Sequence, residues 1–174
     1  MRSLSLAAVA LAVLVAAGRL AAADTPAAVN KLAALERFAG EWVVDGKWYD
    51  GTSLHARGVY EWGLGKKIMK TRTFVTDHGK EYQRYESVMA WHPEKKSIFE
   101  ISFAFDGELT EVLIESKDKD TLHIGWVPYD KGKPSRLRQV IKFLDKDSFR
   151  WVVSFKQNDD WKQIIDATWK RKGK

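Results

Sequence analysis

The 174-residue chain has no cysteine, only four prolines, and no long apolar run beyond its first two dozen residues. Without cysteine there is no disulfide framework, no thiolate nucleophile, no thiolate metal site and no lipid-modified cysteine anchor. Stability must come from core burial, even in a compartment that would permit disulfides. Basic patches are also missing. Lys and Arg number 29 against 23 Asp and Glu, but they are scattered singly among the acids apart from the closing "KRKGK". Nucleic-acid binding calls for a basic patch or stripe, so no nucleic-acid partner is expected, and the basic tail reads as a solubilising end.

Signatures of chemistry are scarce. There are four histidines. His55 and His123 alternate onto the charged faces of their segments, and His78 and His92 fall in turns, so nothing supplies the three or four converging ligands of a zinc site. By alternation Glu86, Glu100, Glu111 and Glu115 are expected to point outward, which leaves no inward carboxylate pair for acid–base work. No glycine-rich phosphate loop leads into a helix, and there is no nucleophile elbow. No catalytic residue, metal or cofactor is expected.

The first 23 residues form a unit of their own. "MRS" is a short basic start, "LSLAAVALAVLVAAG" has the length of a signal-peptide apolar region, and Ala21, Ala22 and Ala23 supply small residues for cleavage before Asp24. The apolar run is shorter than the ~20 residues that span a bilayer. Residues 1–23 are therefore expected to be a cleavable signal peptide, with no stable membrane anchor and a periplasmic or secreted destination in a bacterium. Residues 24–174 are one domain by length, long enough to bury roughly 68–70% of the surface exposed by the unfolded chain.

Residues 24–40 are expected to form a helix and lead-in. Pro26 suits a first helical turn, Val29, Leu32, Ala33, Leu35 and Phe38 recur at helical spacing, and Gly40 ends the segment. Residues 41–171 then read with period two. Ten strand-like runs are parted by turn residues, including Asp106-Gly107, which suggests a type I′ hairpin, and a longer "DKGKP" loop. Connections this short forbid parallel crossovers. The expected fold is all-β, an antiparallel up-and-down barrel of about ten strands with one short N-terminal helix, closure being favoured over a sandwich because it removes edge strands. Residues 172–174 are a basic tail.

Alternation assigns an aromatic interior. Trp42, Val44, Gly46 and Trp48 share a face, as do Leu54, Ala56, Gly58, Tyr60 and Trp62. Further faces are Phe99, Ile101, Phe103 and Phe105; Leu122, Ile124 and Trp126; Leu137, Gln139, Ile141 and Phe143; Phe149, Trp151, Val153 and Phe155; and Trp161, Gln163, Ile165, Ala167 and Trp169. Thr71, Thr73, Ser87, Gln139 and Gln163 are the inward polar candidates. Barrels of eight or more strands hold either packed side chains or one small ligand. Small residues at Ala56, Gly58 and Ala167 leave room between the rings.

A short helix running into Gly40-Glu41-Trp42, followed by a continuous antiparallel run with basic residues on its last strand, resembles the lipocalin-like (calycin superfamily) domains. In that superfamily the Gly-x-Trp tryptophan closes the barrel base against an Arg or Lys of the final strand. The resemblance implies a base plug of Gly40 and Trp42 with Lys170 or Arg171 as cation. "LERFAGEW", "YESVMAWHPEKKSIFEISFAFDG" and the Trp-rich closing strand resemble, more closely, exported or cytosolic bacterial lipocalin-like domains of unknown function. The strand number is also similar to that of nitrobindin-like haem barrels, which need a proximal histidine near the C-terminal end, whereas the last histidine here is His123.

The function these features imply is non-catalytic binding of a small hydrophobic ligand in a cavity lined by Tyr60, Trp62, Phe103, Phe105, Trp126, Trp151 and Phe155. The alternatives are an enzyme acting on an apolar acid in the same cavity, which requires a buried ionisable group near Tyr60 or Tyr85, and a haem-binding barrel. For export, the expected outcome is an intact mass of the protein recovered outside the cytoplasm that corresponds to a chain starting at Asp24. Recovery of the full-length chain would contradict it.

Overall fold

The computed structural model describes residues 30–126, 129–130, 133–134 and 136–173, apart from the side chains of residues 126, 129, 130, 133 and 134. The expected signal peptide and the first part of the expected helix lie outside the described residues. The period-two runs form β1 (Gly40–Lys47), β2 (Ser53–Gly63), β3 (Ile68–Asp77), β4 (Lys80–His92), β5 (Ser97–Ala104), β6 (Leu109–Ser116) and β7 (Thr121–Trp126). After these come a two-residue pair, β8 (Tyr129–Asp130) and β9 (Lys133–Pro134), and then β10 (Leu137–Phe143), β11 (Ser148–Gln157) and β12 (Asp160–Arg171). All pairing is antiparallel, and ten strands close into a barrel in which β12 returns to β1, while β8 and β9 form a separate hairpin within the "DKGKP" connection.

Two local expectations are corrected. The N-terminal helix is a 3₁₀ helix, Ala33–Phe38, rather than an α-helix. The β5–β6 turn is not a two-residue type I′ turn. Gly107 alone in it has positive φ (+89°), its N–H bonds to the Ala104 carbonyl at 2.9 Å, and the Asp106 carboxylate accepts from the Glu108 N–H. One left-handed glycine after a tight turn accommodates a longer loop without asking Asp106 for positive φ.

The 3₁₀ helix closes one end of the barrel. Leu32, Leu35 and Phe38 are buried, and the Phe38 ring lies 5.2 Å from Tyr60, 4.8 Å from Phe143 and 5.4 Å from Phe149. Arg37 fastens the helix from outside, stacking over Phe143 at 4.1 Å, pairing with Asp120 at 2.6 Å and donating to the Asp145 carbonyl. Trp42 and Trp169 extend the aromatic floor around Phe149.

The floor is bolted at the β1–β12 joint. Trp42 is fully buried and its indole N–H donates to the Phe38 carbonyl at 2.6 Å. Trp42 faces Arg171 in the register, and the guanidinium lies 4.2 Å from the Trp42 ring centre. Arg171 donates to the carbonyls of Ala39, Arg37 and Lys146 and to the Asp147 carboxylate. Lys170 is the next residue in the register and is exposed, so the cation over the ring is Arg171. Gly40 has φ +121°, and a Cβ there would lie 2.8 Å from Arg171 Nη1, so both backbone and space require glycine.

A cation–π contact contributes ~0.5–2 kcal/mol, and hydrogen bonds from a charged donor ~1.5–3 kcal/mol. Arg171→Ala is expected to destabilise the protein by about 2–4 kcal/mol, lowering Tm by roughly 2–4 °C per kcal/mol. Arg171→Lys should recover less than half of that, because an ammonium cannot reach several carbonyls as a fork. Chemical denaturation of the three proteins checks both.

Candidate functional site: the barrel lumen

Residues directly opposite one another in an antiparallel pair point to the same face, so the register identifies the lumen. From buried Met69 and Thr71 the inward face passes to Met89 and Ser87, then to Glu100 and Ser102, then to Val112 and Thr110. On the other side it runs through Ile124, Gln139 and Val153, with Trp151 donating its indole N–H to the Gln139 side-chain oxygen. Tyr60 enters from β2, opposite Thr71. A Cβ on Gly58 would lie 2.9 Å from the Tyr60 ring, so the missing side chain is what lets the phenol sit where it does.

The principal correction concerns β5. Its apolar face, Phe99, Ile101 and Phe103, points outward, with Phe103 47% exposed, and the face carrying Ile98, Glu100 and Ser102 points inward. Phe105 lies in the following turn, 61% exposed, against Tyr82 and under the Arg84 guanidinium. Neither Phe103 nor Phe105 lines the lumen as expected. Strand β6 held the signal for the correct assignment. Val112 and Ile114 are buried between Glu111, Leu113 and Glu115, and the turn pairs even positions of β5 with even positions of β6. That register carries Glu100 inward with Val112.

The remaining expected residues separate clearly. Tyr60 and Trp151 are inward and half-buried, as is Phe155, which faces Leu137 at the far end. Trp62 is half-buried opposite Met69. Trp126 faces Leu137 in the register, and its side chain lies outside the described residues. Thr71 and Ser87 are buried and Thr73 and Gln139 half-buried on the inward face. A bulge between Val153 and Ser154 reverses the start of β12, so Gln163 is exposed and Trp161 lies outside, under Arg138 at 4.2 Å. His55 pairs with Asp45, and both it and His123 are exposed. No cluster of three or more metal-ligating side chains occurs among the described residues.

Glu100 sets the electrostatics of the lumen. Protein surrounds it, and desolvation raises its carboxyl above the usual carboxylate range, with the Ser87 hydroxyl opposing the shift as a hydrogen-bonding partner. The Ser87 and Ser102 hydroxyls lie 2.9 Å apart. Burial, and to a smaller extent the Glu100 charge, pushes the Tyr60 phenol upward, so Tyr60 remains neutral at physiological pH. Although surrounded, Glu100 is only half-buried, as are Tyr60, Thr73, Ser102, Gln139 and Trp151.

No protein-family model and no curated protein matches the chain. Among solved structures, the S-type phycobiliprotein lyase CPES from Guillardia theta is similar, with a TM-score of 0.50 and 12% identity over 80% of this chain and 92% of that one. The redesigned β-barrel b11L5F_LGL has a TM-score of 0.45 and 13% identity, covering 80% and 96% of the two chains. EF1p2_mFAP2b bound to DFHBI has a TM-score of 0.40 and 15% identity, covering 80% and 97%. At these identities the likeness is one of fold.

The raised Glu100 carboxyl has a consequence for stability. An acid whose folded pKa lies above its unfolded value holds more protons in the folded state, so stability is lost as pH rises from the unfolded value towards the folded one. The inward titratable group that the Glu100 charge acts on is Tyr60 on β2, neutral in that range, while β3 and β6 offer Thr71, Thr73, Thr110 and Val112. Glu100→Gln is expected to stabilise the protein at neutral pH and to have little effect at mildly acidic pH. Urea denaturation of both proteins at the two pH values checks this.

Proposed function

We propose that the protein is an exported barrel that holds a small, largely apolar molecule in its lumen. The observation that carries this reading is the half-buried state of Tyr60, Thr73, Gln139 and Trp151 inside a closed wall. A floor of Phe38, Trp42, Phe143, Phe149 and Trp169 fills one end, and above it the inward face carries Thr71, Thr73, Ser87, Ser102 and Gln139. Pockets of this kind, apolar walls with a few convergent polar groups, are the usual sites for small molecules. Export rests on the basic start, the apolar run and the small residues before Asp24.

One observation favours catalysis as a second reading. Glu100 and Tyr60 are titratable, both face the barrel interior, and the Glu100 charge acts on Tyr60; a carboxyl raised by burial suits general acid or base work. It is the ionisable group near Tyr60 that an enzyme reading required.

Nile red, a neutral apolar dye, tests the lumen. Its fluorescence is expected to rise on addition of the protein, with energy transfer from tryptophan. Thr73→Trp, which places a large ring among the inward side chains, should weaken binding by at least ~tenfold while leaving the far-ultraviolet spectrum of the barrel intact, since ~1.4 kcal/mol corresponds to that factor. An unchanged dye spectrum with the wild-type protein would overturn the proposal.

A further inference from the structure

We infer that the lumen takes a lipophilic amine: a ligand with an apolar body and one protonated nitrogen that pairs with Glu100. The inference rests on the ligand-binding reading above and names the chemistry of its occupant.

Three observations converge on it. The first is the missing counter-charge. Among the described residues, only the Ser87 hydroxyl and burial act on the Glu100 carboxyl, and no cation contributes. Cations on β4 and β12 are placed elsewhere. Arg171 is held at the base by three carbonyls and Asp147, Lys162 is exposed opposite Phe155 at the other end, and Arg84 lies against Tyr85 and Phe105. The second is free acceptor capacity. A carboxylate offers about four lone-pair sites, and Ser87, whose hydroxyl lies 2.9 Å from that of Ser102, is the one side chain among the described residues that lowers the Glu100 carboxyl. No buried side-chain nitrogen or oxygen among the described residues is left without a partner, so the unused capacity of Glu100 is presented to the lumen. The third is the wall. Tyr60, close enough for the Glu100 charge to act on it, and Trp151 provide aromatic surface that stabilises a cation and packs an apolar body. A carboxylate ligand would place like charge beside Glu100, and an alcohol would leave that charge unpaired.

Proton balance gives the inference a sign. An ammonium pairs with the carboxylate form, so binding draws Glu100 to that form and tightens as pH rises. It weakens again only when the amine itself deprotonates, near ~10.4 for a lysine-like nitrogen. A carbonyl ligand accepting from protonated Glu100 would show the opposite slope. Tyr60 is the inward titratable group that the Glu100 charge acts on, and it stays neutral through this range. The residues opposite on β3 and β6 are uncharged.

Octylamine, octanol and octanoate, matched in apolar body, are titrated into the wild-type protein and Glu100→Gln, with Nile red displacement and calorimetry as readouts. The expected result is octylamine bound at least ~tenfold more tightly than octanol or octanoate, with affinity rising from mildly acidic to neutral pH. Glu100→Gln should bring octylamine to the level of octanol while keeping the far-ultraviolet spectrum of the wild type, which shows that the variant is folded. The inference is overturned if octanol or octanoate binds as well as octylamine, if Glu100→Gln keeps the preference, or if the pH slope is reversed. It is also overturned if Nile red enters but octylamine fails to displace it, and in that case ligand binding by the lumen stands. If neither Nile red nor any of the three binds, the lumen reading itself fails.

Discussion

A closed barrel must join its last strand to its first, and in this protein everything else hangs on that joint. Arg171 reaches from the end of β12 across the buried face of Trp42, while its N–H groups gather the carbonyls of Arg37, Ala39 and Lys146. One side chain thus ties together the end of the 3₁₀ helix, the start of β1 and the turn between β10 and β11. These are segments distant in sequence, joined by one guanidinium fork. The Trp42 indole completes the arrangement by donating to Phe38, which fixes the aromatic ring stack that fills the base.

The base and the rest of the wall are lined differently. Large rings crowd one end, whereas the middle of the wall carries small or polar inward residues such as Gly58, Thr71, Thr73, Ser87 and Ser102. Glu100 stands among these, where burial without a cation is costly. A desolvated carboxylate destabilises the fold unless something pairs with it, and such a cost persists at sites where a ligand or a reaction makes use of it.

The misreading of β5 shows how the sequence was informative and where it was not. Phe99, Ile101 and Phe103 make the more apolar face of their strand, and burial of the more apolar face is the ordinary rule for a half-buried strand. Here the rule is overridden by pairing. Met89 and Ser87 on one side and Val112 and Thr110 on the other hold Glu100 and Ser102 inward, and one strand cannot turn over without reversing both neighbours. The start of β12 fails for a different reason. A bulge at Val153/Ser154 inserts a residue and reverses parity, which places Trp161 outside and exposes Gln163.

Local pattern alone determined what depends on neighbours in the chain: period-two strands, short antiparallel connections, a closing glycine before Trp42, and hence an up-and-down barrel of ten strands. The aromatic base was also legible, because Trp42, Phe143, Phe149 and Trp169 lie on unambiguous apolar faces. Tertiary structure decided which of two basic residues covers Trp42, which face of β5 turns inward, and that an acid stands in the lumen beside Tyr60. Those outcomes rest on register between strands. A shift of one residue moves every side chain to the opposite face at almost no local cost, so only the closed set of pairings can choose between the two.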